Sequence, residues 1–453
     1  MNRKNRLTRR DFMKTTSGAA GAALVARCEV LEAAPIPASP GPLAPSDTLH
    51  FGIIGVGMQG NGLLATSIRL PGVECIAACD LYDGRHDLAK EIVEKPIATT
   101  RRYQDLLDNK DVDCIIAAVP DHWHKQVVVD CCNAGKDVYC EKPMTHQVSE
   151  GFEMIAAEKK NNRIVQIGSQ RRSSIIFAKA KELVEQGAIG RVYQVEGMMG
   201  RNDPCGAWEY PPPPDLSPET LDWETWLGTA PKRPFDPIRF ARWRAFQDYG
   251  EGIPGDLMVH LLTGTHYIMG ATAPPQRALS AGGQYRWKDH GRDVPDAMTT
   301  LYAYPDFNVT IRVTLDTDAP ETTRFMGTGG IMEIQDNAVT VFAQDSMDHA
   351  PCYYTHSYPQ KLRAEFVEKW QTEHAPKPAT QTIIPSQSFY TPPGYNDDRE
   401  HLWNFFESVR TRRPSVEDAS FGNNTAIACH MANYSYFKKT VAVWDESRKA
   451  IKG

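Results

Sequence analysis

The chain has 453 residues, of which 41% are hydrophobic and 23% charged, a composition typical of a soluble protein with room for two domains. Its formal net charge of -6 and isoelectric point near 6.1 leave no global basic field, which excludes nucleic acid as a partner.

The first 34 residues are interpreted as an export signal that does not belong to the fold. Residues 8–14 contain the paired arginines Arg9 and Arg10 and precede an Ala/Gly-rich run at 15–26. This arrangement resembles a twin-arginine signal, which predicts a periplasmic or extracytoplasmic protein; a basic amphipathic helix is the alternative. The run is about a dozen weakly hydrophobic residues long, against roughly 20 for a membrane span, so no stable anchor is expected. The Pro-rich residues 35–47 are a predicted linker.

Ten cysteines raise the question of disulfides or a metal site. Cys75, Cys79, Cys114 and Cys140 lie in or beside short apolar runs that are typical of strands, which predicts buried, unpaired thiols. No Cys or His spacing matches a zinc site, so no metal is expected.

A glycine-rich loop follows the first predicted strand. Residues 51–54 are apolar, Gly55-Val56-Gly57-Met58-Gln59-Gly60 follow, and 61–69 have a helical pattern. Gly55 permits the tight turn, Gly57 lets backbone N–H groups approach a pyrophosphate, and Gly60 lets the helix pack on the strand. We therefore expect Gly55, Val56, Gly57, Met58 and Gly60 to contact a dinucleotide; a tight turn without a ligand is the alternative.

Asp80 directly follows the next predicted strand, 73–79. A carboxylate at this position can accept hydrogen bonds from the adenosine ribose. An acid there repels a 2′-phosphate, so NAD is favoured over NADP. Arg85 nearby leaves NADP open, and a solvated loop acid is the structural alternative.

Strands and helices continue to alternate up to Gly168, which predicts a doubly wound parallel sheet for residues 48–168. Ligands of such sheets bind at the carboxyl ends of the strands. Gly55, Asp80, Pro120 and the Glu141-Lys142-Pro143 motif all follow predicted strand ends, so one crevice is expected to gather them.

These motifs together resemble the oxidoreductases grouped around glucose-fructose oxidoreductase, inositol dehydrogenase and rhizopine-catabolism proteins, the Gfo/Idh/MocA family. The resemblance extends from about residue 50 to about residue 440. It rests on the glycine loop, Pro120-x-x-x-His124, Ala134-Gly135-Lys136, Glu141-Lys142-Pro143, Gln170-Arg171-Arg172 and Asp256-Leu257-Met258-Val259-His260. It implies an enzyme that uses NAD or NADP on a sugar or polyol, with Pro120, His124, Glu141, Lys142 and Gln170 near the cofactor.

Three residues are expected to carry the chemistry, because oxidation of a carbinol requires a base near its hydroxyl. In the resemblance Lys142 is the active-site lysine and His260 the base. Asp256 lies one helical turn before His260, where it can orient and tune the imidazole or touch a sugar hydroxyl. A surface lysine and a packed core histidine are the alternatives. Thr263 stands where relatives often have Asp, which puts inositol specificity in doubt.

Residues 169–453 are predicted to form a second domain with an open, mostly antiparallel sheet. The resemblance implies that this domain binds the substrate and mediates oligomerisation, with one face of the sheet covering the nicotinamide. The α/β domain is thus followed by an α+β domain. We expect Arg171, Trp243, Arg244 and His266 to reach the substrate; alternatively, the tryptophans of residues 203–249 only pack that irregular segment, and His266 only caps its helix face. A homo-oligomer, dimer or tetramer, is expected. The strands are predicted at 192–198, 298–304, 309–314, 323–327 and 330–335.

The leading hypothesis is an exported oxidoreductase that moves hydride between a carbohydrate hydroxyl carbon and a nicotinamide, with the cofactor either exchanging or permanently held. The alternative is an NAD-dependent glycoside hydrolase that oxidises a ring carbon transiently and eliminates the aglycone. The third hypothesis is a binding protein that has kept the fold and lost catalysis.

Overall fold

The computed structural model describes residues 27–32, 48–344, 352–373 and 386–453. Arg9, Arg10 and the expected linker lie outside these residues. No described helix is long and apolar enough to cross a membrane.

The first layer is the predicted doubly wound sheet, with six strands that are all parallel. From the strand Leu49–Ile54 the chain builds outward in one direction, then returns to add strands on the other side. This reversal creates a crevice at the carboxyl ends. The spatial strand order is Ala98–Thr100, Val73–Cys79, Leu49–Ile54, Cys114–Ala117, Asp137–Glu141, Val165–Gly168.

Helices cover both faces of this sheet, as the near-continuous burial of its strands requires. Between the strands lie Met58–Ser67, Gly84–Val93, Gln104–Asp108, Asp121–Asn133 and Val148–Asn161. The described cysteines of the sheet, Cys75, Cys79, Cys114 and Cys140, are free and buried.

One further covering helix comes from much later in the chain. Asp397–Thr411 packs Leu402, Phe405 and Phe406 against the sheet, and the Phe51 and Phe406 ring centroids are 5.6 Å apart. The Rossmann layer is therefore not confined to residues 48–168, because the apolar face of its sheet is completed by this helix.

The second layer is an 11-stranded sheet, mostly antiparallel as expected. Three helices, Ile175–Glu185, Val259–Met269 and Ala419–Lys438, pack on one face. Its spatial strand order is Arg27–Val30, Gln387–Tyr390, Ala338–Ala343, Gly330–Gln335, Ala319–Gly327, Val192–Gly200, Asn308–Thr314, Ala297–Ala303, Arg277–Gly283, Ala442–Asp445, Ala450–Lys452.

The strand Arg27–Val30 pairs in parallel with Gln387–Tyr390 at the edge of this sheet. The sequence interpretation placed these four residues in the export signal, outside the fold. In the structure they satisfy the otherwise free backbone groups of the edge strand.

Residues 203–249 form the irregular insert, held by aromatic packing rather than by a sheet. The Trp223 and Trp226 rings stack with centroids 4.9 Å apart, so packing explains these two tryptophans. Its short helices are Trp223–Leu227, Pro237–Ala241 and Trp243–Ala245. The remaining helical segments are Arg171–Ser173, Pro254–Met258, Asp289–Gly291, Cys352–Thr355 and Gln360–Glu373.

Candidate active site

The glycine loop has the backbone geometry that its sequence predicts. Gly55 has φ +87°, and a Cβ there would lie 2.4 Å from Ala118 O. A Cβ on Gly60 would lie 2.0 Å from Gly55 O, so the helix Met58–Ser67 packs on the strand only without a side chain. The free N–H groups of its first turn face the crevice beside Gly57, which fits a pyrophosphate.

Asp80 lies at the rim of this loop, and it is not a solvated acid. Its side chain is buried, with Oδ2 accepting a hydrogen bond from Val56 N at 2.8 Å and Oδ1 accepting one from Tyr82 N at 3.0 Å. Arg85 Nη1 is 3.4 Å from Oδ2. Asp80 therefore both supports the loop and lines the adjoining pocket with Gly55 and Pro120.

A cleft of about 640 Å³ runs from the glycine loop to the second domain. It brings together ten residues that the sequence singled out: Gly57, Met58, Pro120, Glu141, Lys142, Gln170, Trp243, Arg244, Asp256 and His260.

Lys142 is fixed in this cleft by Asp256. Its Nζ donates to Asp256 Oδ1 at 3.0 Å and to the Asp256 backbone O at 2.7 Å. An ammonium group has three N–H donors, so one remains for a substrate oxygen.

Asp256 is saturated by three donors. Besides Lys142, Arg244 Nε donates to Oδ1 at 3.1 Å and Trp208 Nε1 to Oδ2 at 3.0 Å. Burial opposes ionisation of Asp256, but the charges of Lys142 and Arg244 outweigh it and hold the pKa of its carboxyl well below the usual range. The expected contact between Asp256 and the His260 imidazole is not among its hydrogen bonds; the carboxylate instead holds Lys142 and Arg244.

A π-helical turn, Pro254–Met258, presents Asp256 to the lysine. A Cβ on Gly255 would lie 2.2 Å from Glu251 Cβ and 3.0 Å from Pro143 Cγ. Only glycine allows this turn to approach the Glu141-Lys142-Pro143 segment so closely. Such turns recur at functional sites.

His260 lines the same cleft, beside the backbone of Ser169. Burial, with the positive charges of Lys142 and Arg171, holds the pKa of His260 well below its ordinary value. The imidazole is therefore neutral at neutral pH, which is the form a general base requires.

Glu141 and Gln170 stand between the glycine loop and Lys142. Burial raises the pKa of Glu141 to about 7, and its Oε1 accepts a hydrogen bond from Gln59 Nε2 at 3.2 Å. Gln170 has φ +61° and donates to Gly168 O at 2.9 Å. Both predicted cofactor residues thus line the cleft at its nucleotide end.

Three predicted site residues lie elsewhere. His124 is buried, with its ring nitrogens on Pro143 O at 2.7 Å and Val119 O at 2.9 Å, so it braces two strand ends instead of touching a ligand. His266 is fully buried and its Nε2 lies 2.5 Å from Tyr304 Oη, so its assignment to the substrate site is wrong. Arg171 does not line the cleft and pairs with Glu321 at 2.5 Å, but its charge acts on His260, so its contact with a substrate stays a prediction.

Thr263, the departure from the family pattern, is fully buried and does not line the cleft.

Sequence reasoning missed Asp121, Arg201 and Tyr210, which all line the cleft. Asp121 is buried, its Oδ2 accepts a hydrogen bond from Glu251 N at 3.0 Å, and burial raises the pKa of its carboxyl well above the usual range. Its place inside the Pro120-x-x-x-His124 motif was the available signal; Arg201 and Tyr210 follow no motif. Among the described residues, no three His, Cys, Asp or Glu side chains are arranged to hold a metal ion.

A Rossmann sheet with a glycine loop, a lysine at a strand end and a covering antiparallel sheet define a dinucleotide-dependent oxidoreductase. Residues 49–169 match the oxidoreductase family, NAD-binding Rossmann fold, and residues 177–284 match its C-terminal alpha/beta domain. Together these matches span about half of the chain, which belongs to the Gfo/Idh/MocA oxidoreductase family. Its first domain is accordingly an NAD-binding domain.

The curated relatives match between a third and about two fifths of this chain. The inositol 2-dehydrogenase of Salmonella typhimurium is 36% identical over 152 residues, 33% of this chain and 45% of that enzyme. A glycosyl hydrolase family 109 protein of Shewanella pealeana is 28% identical over 210 residues, 42% of this chain and 45% of that protein. The chain thus spans about half the length of the curated relatives it matches.

The fold of both domains recurs in a levoglucosan dehydrogenase solved with NADH and levoglucosan. The TM-score is 0.64 at 17% identity, and the match covers 87% of this chain and 98% of that chain. At this identity the likeness concerns the fold alone.

Proposed function

We propose that the protein is an NAD-dependent oxidoreductase that moves hydride between the hydroxyl carbon of a sugar or polyol and the nicotinamide. The observation that carries the proposal is the pairing of Lys142 Nζ with Asp256 Oδ1 at 3.0 Å, in a cleft that also contains His260 and the glycine loop. Relatives named for inositol and levoglucosan dehydrogenases support a polyhydroxylated substrate.

The bound nicotinamide supplies the hydride acceptor or donor, and the protein supplies the proton chemistry. The remaining N–H of Lys142 donates to the substrate oxygen and stabilises charge developing there. The neutral His260 accepts the hydroxyl proton on a ring nitrogen. As the O–H bond breaks and the carbonyl forms, the hydride leaves the carbon with its electron pair.

Retention of the cofactor is the finer part of the proposal. The insert closes over the nucleotide end: Asp222 N donates to Leu81 O at 3.0 Å, Asp83 N donates to Thr220 O at 3.0 Å, and Trp123 Nε1 donates to Trp226 O at 3.0 Å. Because these contacts join the insert to the Rossmann domain beside the pocket of Asp80, they would slow release of a dinucleotide, which supports a permanently held cofactor that a second substrate regenerates.

Export through the twin-arginine route, motivated by Arg9 and Arg10, is part of the same proposal. Replacing both arginines with lysine should leave the protein in the cytoplasm. Unchanged export of that variant would overturn it.

A homo-oligomer is proposed from the uncovered face of the large sheet. Leu279 pairs with Leu301 across two strands and Ile331 with Phe342 across two others, and all four side chains are more than a third exposed. Such apolar surface is typical of an interface. Light scattering of the purified protein measures the assembly, and a monomer at micromolar concentration would contradict the proposal.

The competing activity is NAD-dependent glycoside hydrolysis, supported by the family 109 match over 42% of this chain. Two measurements separate the oxidoreductase from the hydrolase. Release of nucleotide from denatured protein is measured first, and native protein is then incubated with free sugars and with p-nitrophenyl glycosides. Reduced nicotinamide with a keto-sugar product supports the oxidoreductase. Release of p-nitrophenol without net reduction would replace it with the hydrolase. Lys142→Ala should lower either rate about 10²–10⁴-fold.

A further inference from the structure

The end of the cleft remote from the glycine loop contains two guanidinium groups whose terminal nitrogens have no hydrogen-bond partner among the described residues. Arg201 directly follows the strand Val192–Gly200, and only its backbone N–H is bonded, to Thr314 O at 3.0 Å. Arg244 uses Nε on Asp256 at 3.1 Å, which leaves its two terminal nitrogens free.

Other arginines of this region are neutralised by the protein itself. Arg233 and Arg239 pair with Asp248 at 2.7 and 3.1 Å. Arg242 and Arg292 both pair with Glu209. Arg201 differs from these arginines because its guanidinium forms no ion pair among the described residues, although the carboxylates of Asp203 and Asp256 lie nearby.

The local charge is positive. Lys142, Arg201 and Arg244 surround the carboxylate of Asp256, which already binds two of them. Asp121, Glu141 and Asp398 also line the cleft, and burial raises the pKa of each of these three carboxyls, which reduces their negative charge. In a partly desolvated cleft, uncompensated cations favour an anionic ligand, and guanidinium matches carboxylate, sulfate and phosphate groups.

The cofactor's phosphates do not account for these cations. The glycine loop would hold the pyrophosphate, and Arg85 lies there with its guanidinium carbon 3.4 Å from a Cβ position on Gly57. Arg201, in contrast, interacts electrostatically with Asp256 and Tyr210 at the substrate end. Trp243 stacks on Arg244 at 4.3 Å and adds an apolar wall suited to a sugar ring.

We propose that the substrate is a sugar bearing an anionic substituent, a carboxylate, sulfate or phosphate, which Arg201 and Arg244 hold while Lys142 and His260 act on a hydroxyl carbon of the same ring. This inference rests on the proposed oxidoreductase function and names its substrate class.

The test measures binding by isothermal titration to the full protein loaded with NADH, so it does not depend on turnover. D-Glucuronate, D-glucose 6-sulfate and D-glucose 6-phosphate are compared with D-glucose, and D-galacturonate with D-galactose. At least one anionic sugar should bind 10-fold or more tightly than its neutral counterpart, about the value of one charge-assisted hydrogen bond. The anionic sugar that binds more tightly than its neutral counterpart identifies the anionic group.

Arg201→Gln should remove most of that gain, about 10–100-fold, while changing the Kd of the neutral sugar less than about 2-fold. Arg201→Lys should retain part of it, which guards against misfolding of the glutamine variant. Arg69→Gln, at an exposed position outside the cleft, is the control and should change nothing.

Equal binding of anionic and neutral sugars, or equal weakening of both by Arg201→Gln, would overturn the inference. The proposed function fails separately, if the native protein releases no nicotinamide nucleotide and reduces none with any of these sugars.

Discussion

Lys142 and Asp256 are 114 residues apart in the chain and belong to different domains, yet Lys142 Nζ lies 3.0 Å from Asp256 Oδ1. The contact joins the end of a Rossmann strand to a π-helical turn under the large sheet. Its consequence is that the proposed catalytic lysine has its position only when both domains are docked.

Asp256→Asn should lower kcat about 10²-fold or more, because Lys142 and Arg244 lose their shared anion. If Asp256 positions Lys142, the Kd of NAD should change little. Steady-state kinetics measures kcat, and nucleotide titration measures the Kd. Asp318→Asn, at an exposed site, is the control. Loss of NAD binding in step with kcat would mean that Asp256 only maintains the fold.

The pH profile should report the neutral state of His260. Since burial and the charges of Lys142 and Arg171 lower its pKa, the base stays unprotonated as pH falls from 8 through the ordinary histidine value of about 6.5. His260 should therefore contribute no limb to kcat/KM over that window and one only below it, whereas a limb near pH 7 that persists in His260→Gln belongs to Glu141, whose pKa is raised by burial to about 7. An acidic limb near pH 7 that disappears in His260→Gln would contradict this assignment.

Gly255→Ala places a methyl group 2.2 Å from Glu251 Cβ, so the π turn must shift away from Pro143. We expect a loss of about 1–3 kcal/mol of unfolding free energy and a larger proportional loss of kcat than of nucleotide affinity. Gly62→Ala has open space around its Cβ and serves as the control for glycine replacement within a helix. Full activity in Gly255→Ala would show that the close approach is dispensable.

Asp80→Asn should narrow the preference for NAD over NADP by about 10–100-fold, the size of a charge-assisted hydrogen bond. Asparagine keeps an acceptor for Val56 N while removing the charge that repels a 2′-phosphate, and it frees Arg85 to bind that phosphate. Kd values for both nucleotides, with exposed Asp87→Asn as control, measure the change. An unchanged ratio would remove Asp80 from cofactor selection.

Glu417 offers a stability test with a definite sign. Burial raises the pKa of its carboxyl to about 8, so the unfolded chain ionises first and the stability of the parent protein falls as pH rises from about 4.5 to 8. Glu417→Gln removes that dependence. The unfolding free energy of the variant minus that of the parent should therefore increase as pH rises, by at most about 1.4 kcal/mol per pH unit. Urea denaturation at several pH values measures it, with exposed Glu91→Gln as control. A constant difference between the two proteins would show that Glu417 is ionised in the fold.

The sequence alone determined the elements whose chemistry is local. Gly55 and Gly60 stand where no side chain fits, Asp80 ends its strand, and Lys142 follows the strand Asp137–Glu141. Such elements are specified by apolar periodicity and turn residues that lie within a few positions of one another in the sequence. The parallel sheet and its crevice could therefore be predicted.

Only the tertiary structure decided what approaches from far along the chain. Helical spacing placed Asp256 beside His260, but the carboxylate binds Lys142, Arg244 and Trp208, because docking of the second domain brings three donors to it. His266 and Arg171 look equally polar in sequence, yet one is enclosed against Tyr304 and the other pairs with Glu321. No sequence pattern marks Arg201, because an arginine can be recognised as unpaired only when the positions of all its possible partners are known.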